Sequence, residues 1–178
     1  MKKALILHAW YSNPSDNWYP WLKGKLEGKG YEVYIPDLPT MGTKLPNMKK
    51  QLDFVEKNFK LEKDTIVFGH SLGTLLAMRL AEKHPLNKMF LIAGWDFNDL
   101  TSEHRLFWKT PINHKNIKTH VKEIFVISSD NDPYITAITA EDMCKRLAGK
   151  FILQKGKCHF SKKLGGVTQI PKLLEFLS

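Results

Sequence analysis

The stretch Thr65-Ile66-Val67-Phe68-Gly69-His70-Ser71-Leu72-Gly73 decides the reading of this chain, together with the continuation Thr74-Leu75-Leu76-Ala77-Met78-Arg79-Leu80-Ala81. Four apolar or β-favouring residues meet Gly-x-Ser-x-Gly, and a run of good helix formers without glycine follows. The pattern predicts a buried strand, a sharp turn and a helix. A turn that tight brings the backbone on either side of Ser71 together, so Gly69 and Gly73 occupy positions where a Cβ would clash. The pentapeptide by itself recurs by chance in roughly 6% of chains of this length. Its place between a strand pattern and a helix pattern is what gives it weight, and Ser71 is read as the exposed tip of a nucleophile elbow.

Further strand patterns flank this one. Lys3 to His8 and Met89 to Gly94 are short apolar runs of the kind that build strands buried on both faces, and Tyr31 to Ile35 is a strand stopped by Pro36 with Asp37 at its end. Glu123 to Ser128 and Lys150 to Gln154 complete a set of six. Between them lie helix patterns. Ser15 or Asp16 is the expected cap for a helix carrying Trp18, Trp21, Leu22 and Leu26 and ending at Gly28 or Gly30, and Asn47 for one through Phe59. The elbow helix is expected to end at His84-Pro85. Thr139 with Asp142 resembles a capping box, and Val167 to Leu177 reads as a last amphipathic helix. Strands alternating with helices predict a mostly parallel sheet of about six strands with helices on both faces. The stretch from about 95 to 120, with Trp95, Phe97, Phe107 and Trp108 among polar residues, is too long for an ordinary connection and is expected to form a small helical cap.

Composition narrows the function classes. The 178 residues predict one domain with a core of ordinary size; 43% are hydrophobic and 25% charged, values typical of globular proteins. The charged start Met1-Lys2-Lys3 precedes an apolar run too short for a signal peptide, and no run is long enough to span a membrane, so the expected compartment is cytoplasmic. Two cysteines, Cys144 and Cys158, are too few for a disulfide framework or a metal knuckle. The net charge of +9 raises nucleic acid as a partner, but only three of the 27 basic residues are arginines and no basic run exceeds a pair. A solvated lysine surface is the expected meaning, with no specific nucleic-acid binding.

Chemistry in such a sheet gathers at the carboxyl ends of the strands. There the fifth strand is followed by Ser129-Asp130-Asn131-Asp132-Pro133 and the sixth by Gly156-Lys157-Cys158-His159-Phe160. A serine hydroxyl needs a base to take its proton, and an imidazole base needs a carboxylate to fix its tautomer. Ser71, Asp132 and His159 occur in the order expected of this architecture. Asp130 competes with Asp132, which is favoured because Pro133 fixes the backbone beside it. His8, at the end of the first strand, competes with His159 as the base; its other task would be to shape the first loop. The residue after the nucleophile, Leu72, is expected to offer a backbone N–H to an oxyanion, and the first loop a second, from Trp10 or failing that Ala9. Cys158 lacks the companions of a metal ligand, and no phosphate-binding or dinucleotide-binding glycine pattern occurs, so no metal or cofactor is implied. Trp10, Trp18, Trp95 and Trp108 are candidates both for an apolar acyl pocket and for the core.

His8-Ala9-Trp10, Asn13 to Leu22, Pro36-Asp37-Leu38-Pro39, Gly69 to Gly73, Asp132-Pro133 and His159-Phe160 recur in an order that resembles the α/β-hydrolase superfamily. Within it the chain is similar to the small serine hydrolases related to YdeN and to retinoblastoma-binding protein 9. The resemblance covers most of the chain and implies a triad of Ser71, Asp132 and His159 in a minimal hydrolase. Two positions depart from it: Ala9 and Cys158 stand where the group usually has glycine. The expected activity is cleavage of small carboxylic esters, thioesters or amides through an acyl-Ser71 intermediate. The alternative is a protein-interaction module on a hydrolase fold with a slow or idle triad, which would take a protein partner.

Overall fold

The apolar run ahead of Ser71 becomes an interior strand because both of its faces find cover. In the computed structural model, which describes residues 2–177, the strands are β1 (Lys2–Leu7), β2 (Tyr31–Tyr34), β3 (Ile66–His70), β4 (Leu86–Ile92), β5 (Val121–Ser129) and β6 (Lys150–Gln154). They pair in the order β2-β1-β3-β4-β5-β6, every pair parallel. All five residues of β3 are buried.

Alternate residues feed two cores. Leu5, Leu7, Val67, Met89, Leu91 and Val126 face the side covered by helices α2 (Met48–Asn58), α3 (Leu72–Ala81), α4 (His114–His120) and α5 (Ala137–Leu147). Ala4, Ile6, Phe68, Phe90, Ile92 and Phe125 face α1 (Tyr19–Glu27) and the C-terminal residues. Parallel register sets Phe68 beside Phe90 and Phe90 beside Phe125, so the three rings stack at 4.6 and 4.7 Å across neighbouring strands. Helix α3 is buried at all ten positions, as its apolar sequence requires.

Several boundaries differ from the sequence expectation, each for a local reason. Helix α1 has no side-chain cap; the Asp16 carboxylate is taken by Asn13 N–H (2.9 Å) and Ser12 Oγ (3.2 Å), while Pro20 in the first turn has no N–H to satisfy. Asn47 caps α2 as expected, accepting from Lys50 N–H. Helix α5 starts earlier than the Thr139 pattern suggests, with Thr136 as its cap and Thr139 N–H as the donor. Helix α3 ends at Ala81, and β4 begins at Leu86, directly after Pro85. The last segment is a 3-10 helix over Pro171–Phe176, because Pro171 cannot continue a helix begun at Val167; Val167, Ile170, Leu173 and Leu177 are buried nonetheless.

The stretch expected to form a helical cap carries one 3-10 turn, Arg105–Phe107, and α4, which leads straight into β5. The irregular remainder is pinned at two places. Near its start the Asp96 carboxylate, buried, takes two hydrogen bonds from Arg146 of α5 (2.6 and 2.7 Å) and one from His114 Nε2 of α4 (2.6 Å). Near its end the Arg79 guanidinium of α3, also buried, donates to the carbonyls of Thr110 and Pro111 and to Glu82. A loop with few regular hydrogen bonds is thereby held against three helices.

Candidate active site

Ser71 sits between β3 and α3 with φ 52° and ψ −120°, a region that L-residues seldom occupy. A Cβ on Gly69 would stand 2.7 Å from Gly73 O, and one on Gly73 would run into the carbonyls of Leu7 and His8. Both glycines are therefore needed for β1, β3 and α3 to approach as they do. Ser71 N–H is tied to Ile92 O of β4 at 2.9 Å, which fixes the tip of the turn to the neighbouring strand.

His159 Nε2 lies 2.8 Å from Ser71 Oγ, and His159 Nδ1 lies 2.8 and 3.0 Å from the two oxygens of Asp132. The carboxylate can only accept, so Nδ1 carries the proton and Nε2 presents its lone pair to the serine. Asp132 is itself fixed, since its Oδ1 accepts from the N–H groups of Tyr134 (2.9 Å) and Ile135 (3.1 Å) and its side chain is fully buried. The rivals are occupied elsewhere. Asp130 accepts from Gly156 N–H at 2.8 Å, which joins the loops that follow β5 and β6. His8 Nε2 accepts from Leu38 N–H and its Nδ1 donates to Ala9 O, which joins the first loop to residues 36–39; burial pushes its pKa down. Cys158 has φ +46° and accepts weakly from Asn131, and the glycine usual in the resembling group suits that conformation better.

The first loop also separates Trp10 from Ala9. Ala9 N–H is spent on Tyr19 Oη at 3.0 Å. Among the described residues the N–H groups of Trp10 and Leu72 make no hydrogen bond within the chain. Trp10 is held in place by its indole, which donates to Thr43 O at 2.8 Å, and Tyr11 N–H donates to Met41 O.

Behind this lies a buried connection that the sequence did not reveal. Tyr19 Oη receives Ala9 N–H and Asn17 Nδ2 (3.2 Å), so its own proton goes to His70 Nδ1 at 2.7 Å. His70 Nε2 then donates to His159 O at 2.8 Å. Desolvation, reinforced by His159 nearby, lowers the His70 pKa to about 3, and burial raises that of Tyr19 to about 12. His70 is thus a neutral imidazole with a fixed tautomer, linking the first loop to the backbone of His159. No spacing rule marks Tyr19 and His70 as partners, because they are 51 residues apart and meet only in the folded chain.

The serine opens into a cleft of about 1190 Å³. Trp10 and Trp95 line it, whereas Trp18 is core and Trp108 packs on the core away from the cleft. Exposed apolar side chains gather at its edge: Tyr11, Phe97, Tyr134 and Leu164. Among the described residues no three His, Cys, Asp or Glu side chains converge as a metal site would require, and no helix is long and apolar enough to cross a membrane.

Comparison with known proteins agrees with this architecture. The chain is 26% identical to rat serine hydrolase RBBP9 over 146 residues, covering 80% of this chain and 77% of the relative. It is 25% identical to the putative hydrolase YdeN of Bacillus subtilis, over 99% of this chain and 95% of YdeN. The crystal structure of the B. subtilis ydeN product superposes with a TM-score of 0.86 at 22% identity, covering 99% of this chain and 97% of that one, a likeness of fold. The family model described as serine hydrolase matches residues 4–178. Matched along nearly its whole length, the chain belongs to the serine hydrolase family, in the α/β-hydrolase group that includes YdeN and RBBP9.

Proposed function

We propose that this protein hydrolyses small carboxylic esters, with thioesters and amides as further substrates, through an acyl-Ser71 intermediate. The observation that carries the reading is the unbroken line from Ser71 Oγ through His159 to Asp132, each link between 2.8 and 3.0 Å. As Oγ attacks the carbonyl carbon, His159 Nε2 takes its proton and Asp132 stabilises the resulting imidazolium. The carbonyl oxygen becomes an oxyanion, and the N–H groups of Trp10 and Leu72 are the donors free to receive it. The tetrahedral centre collapses, the leaving oxygen takes the proton from His159, and the acyl group remains on Ser71. Water then repeats the sequence with His159 as base, releasing the acid and restoring the serine.

The test uses p-nitrophenyl acetate and butyrate together with a fluorophosphonate probe. Ser71 is expected to be the labelled residue, and Ser71→Ala to lose hydrolysis by a factor on the order of 10³ or more. Activity that survives Ser71→Ala unchanged overturns the assignment. A folded wild-type protein that neither labels nor hydrolyses favours a binding role on the same fold.

A further inference from the structure

Two kinds of lining meet in the cleft that holds Ser71. Aromatic rings make one: Trp10 meets His104 edge-on at 4.9 Å, and Phe97 is half exposed. The chain that follows His159 makes the other, with Ser161, Lys162, Lys163 and Leu164 along the same cleft. This stretch is anchored at its root. His70 Nε2 donates to His159 O, Lys162 N–H donates to Asn17 Oδ1 at 2.9 Å, and Ser161 Oγ accepts from Leu164 N–H at 3.0 Å. Lys162 and Lys163 are exposed, and among the described residues neither ammonium has a carboxylate within ion-pair distance.

The carboxylates in the lining are engaged elsewhere. Asp16 Oδ2 accepts from Asn13 N–H (2.9 Å) and Ser12 Oγ (3.2 Å). Asp99 accepts from Thr101 N–H (3.1 Å), Thr101 Oγ1 (2.9 Å) and His104 Nδ1 (2.6 Å). Each is held within its own loop, and neither closes on the lysines. Adjacent ammonium groups repel one another, and an anion placed between them turns that repulsion into attraction. Their flexible four-carbon stems let both charges reach a group at the mouth of the cleft without a preset geometry. The rings offer no such charge, so the cleft is matched to a molecule with an apolar part and an anionic part.

We propose that the ester substrate carries an anionic group, and that Lys162 and Lys163 are the specificity-determining residues that receive it while its apolar part lies along Trp10 and Phe97. The assignment rests on the esterase reading above and deepens it. The lysines take no part in bond cleavage; they raise the share of encounters that deliver the carbonyl to Ser71.

The test uses two pairs of chromogenic esters that differ by one carboxylate. On the leaving side, 3-butanoyloxy-4-nitrobenzoic acid is compared with 2-nitrophenyl butanoate. On the acyl side, the p-nitrophenyl monoester of hexanedioic acid is compared with p-nitrophenyl hexanoate. Every rate is divided by that of the same ester in buffer alone. Exposed ion pairs are individually weak, so in one pair or the other the anionic ester should show kcat/KM higher by roughly threefold or more at about 20 mM salt. The preference should fall toward one at about 0.5 M salt and in the double variant Lys162→Gln, Lys163→Gln, while the neutral esters are cleaved as before. A control, Lys118→Gln with Lys122→Gln, removes two exposed charges where α4 leads into β5, at the opposite edge of the sheet, and should keep the preference. The wild-type ratio decides the matter even if a variant fails to fold. A wild-type enzyme that cleaves the neutral esters with a ratio below about threefold in both pairs overturns the lysine assignment and leaves the esterase reading standing. So does a preference that survives the loss of Lys162 and Lys163, or one that the control abolishes equally. Absence of both hydrolysis and Ser71 labelling overturns the two readings together.

Discussion

Tyr19 and His70, both buried, tie the first loop to the backbone of His159. Tyr19 Oη binds the N–H of Ala9 and donates to His70, which in turn binds the carbonyl of His159. Removing that one oxygen in Tyr19→Phe leaves a buried amide and a buried imidazole nitrogen without partners, an expected loss of about 1–3 kcal/mol in urea unfolding. It also frees the first loop and His159 to drift together. The kcat for p-nitrophenyl acetate should therefore fall about tenfold or more while KM changes little, since the lost positioning matters most as charge develops on the carbonyl oxygen. A fall in stability alone, with kcat intact, would make the tyrosine a packing residue only.

Among the elements, the segment between β4 and β5 carries the most consequence for its size. It supplies Trp95, Phe97, Asp99 and His104 to the cleft, yet it has one 3-10 turn and little regular structure of its own before α4. Asp96 and Arg79 hold it to the helices. In Asp96→Ala the His114 and Arg146 side chains lose a shared buried partner; Arg146 is 44% exposed and recovers part of the loss from water, so the expected destabilisation is about 2–3 kcal/mol. Hydrogen exchange should rise first in residues 97–110, ahead of the sheet. Uniform loss of protection through the strands would show instead that the anchor supports the whole fold. These elements also mark where sequence reading worked and where it stopped. The elbow was legible because its backbone geometry leaves no room for side chains at Gly69 and Gly73. Asp132 and His159 were legible because a parallel sheet delivers successive strand ends to one edge. The 95–120 stretch was not, since an irregular loop has no period to detect, and the Tyr19–His70 and Asp99–His104 pairs depend on which side chains meet or go unpaired after folding. The final 3-10 turn kept the apolar spacing of a helix, so pattern alone could not separate the two.

For the molecule as a whole, buried neutral histidine makes stability depend on pH. The His70 pKa of about 3 lies well below that of an unfolded histidine, near 6.5, so as pH falls the unfolded chain takes up a proton that the folded chain refuses. The stabilisation is complete above about pH 6.5 and is lost progressively toward pH 3, at up to about 1.4 kcal/mol per pH unit. His8, also lowered by burial, adds in the same direction. Urea unfolding should show a loss of roughly 1.5 kcal/mol or more between pH 6.5 and 5, above the range where most carboxylates titrate. His70→Gln should flatten that slope. An equally steep slope in the variant would place its origin in other groups.

The two anchors of the β4–β5 segment have one more consequence. Asp96 is bound by Arg146 of α5, and Thr110 and Pro111 by Arg79 of α3, so the chain between residues 96 and 110 is attached like a panel fastened at both edges. Ser71, Asp132 and His159 all lie outside that panel. Residues 97–109 can therefore be exchanged, and the cleft reshaped, without moving the serine, the histidine or the aspartate.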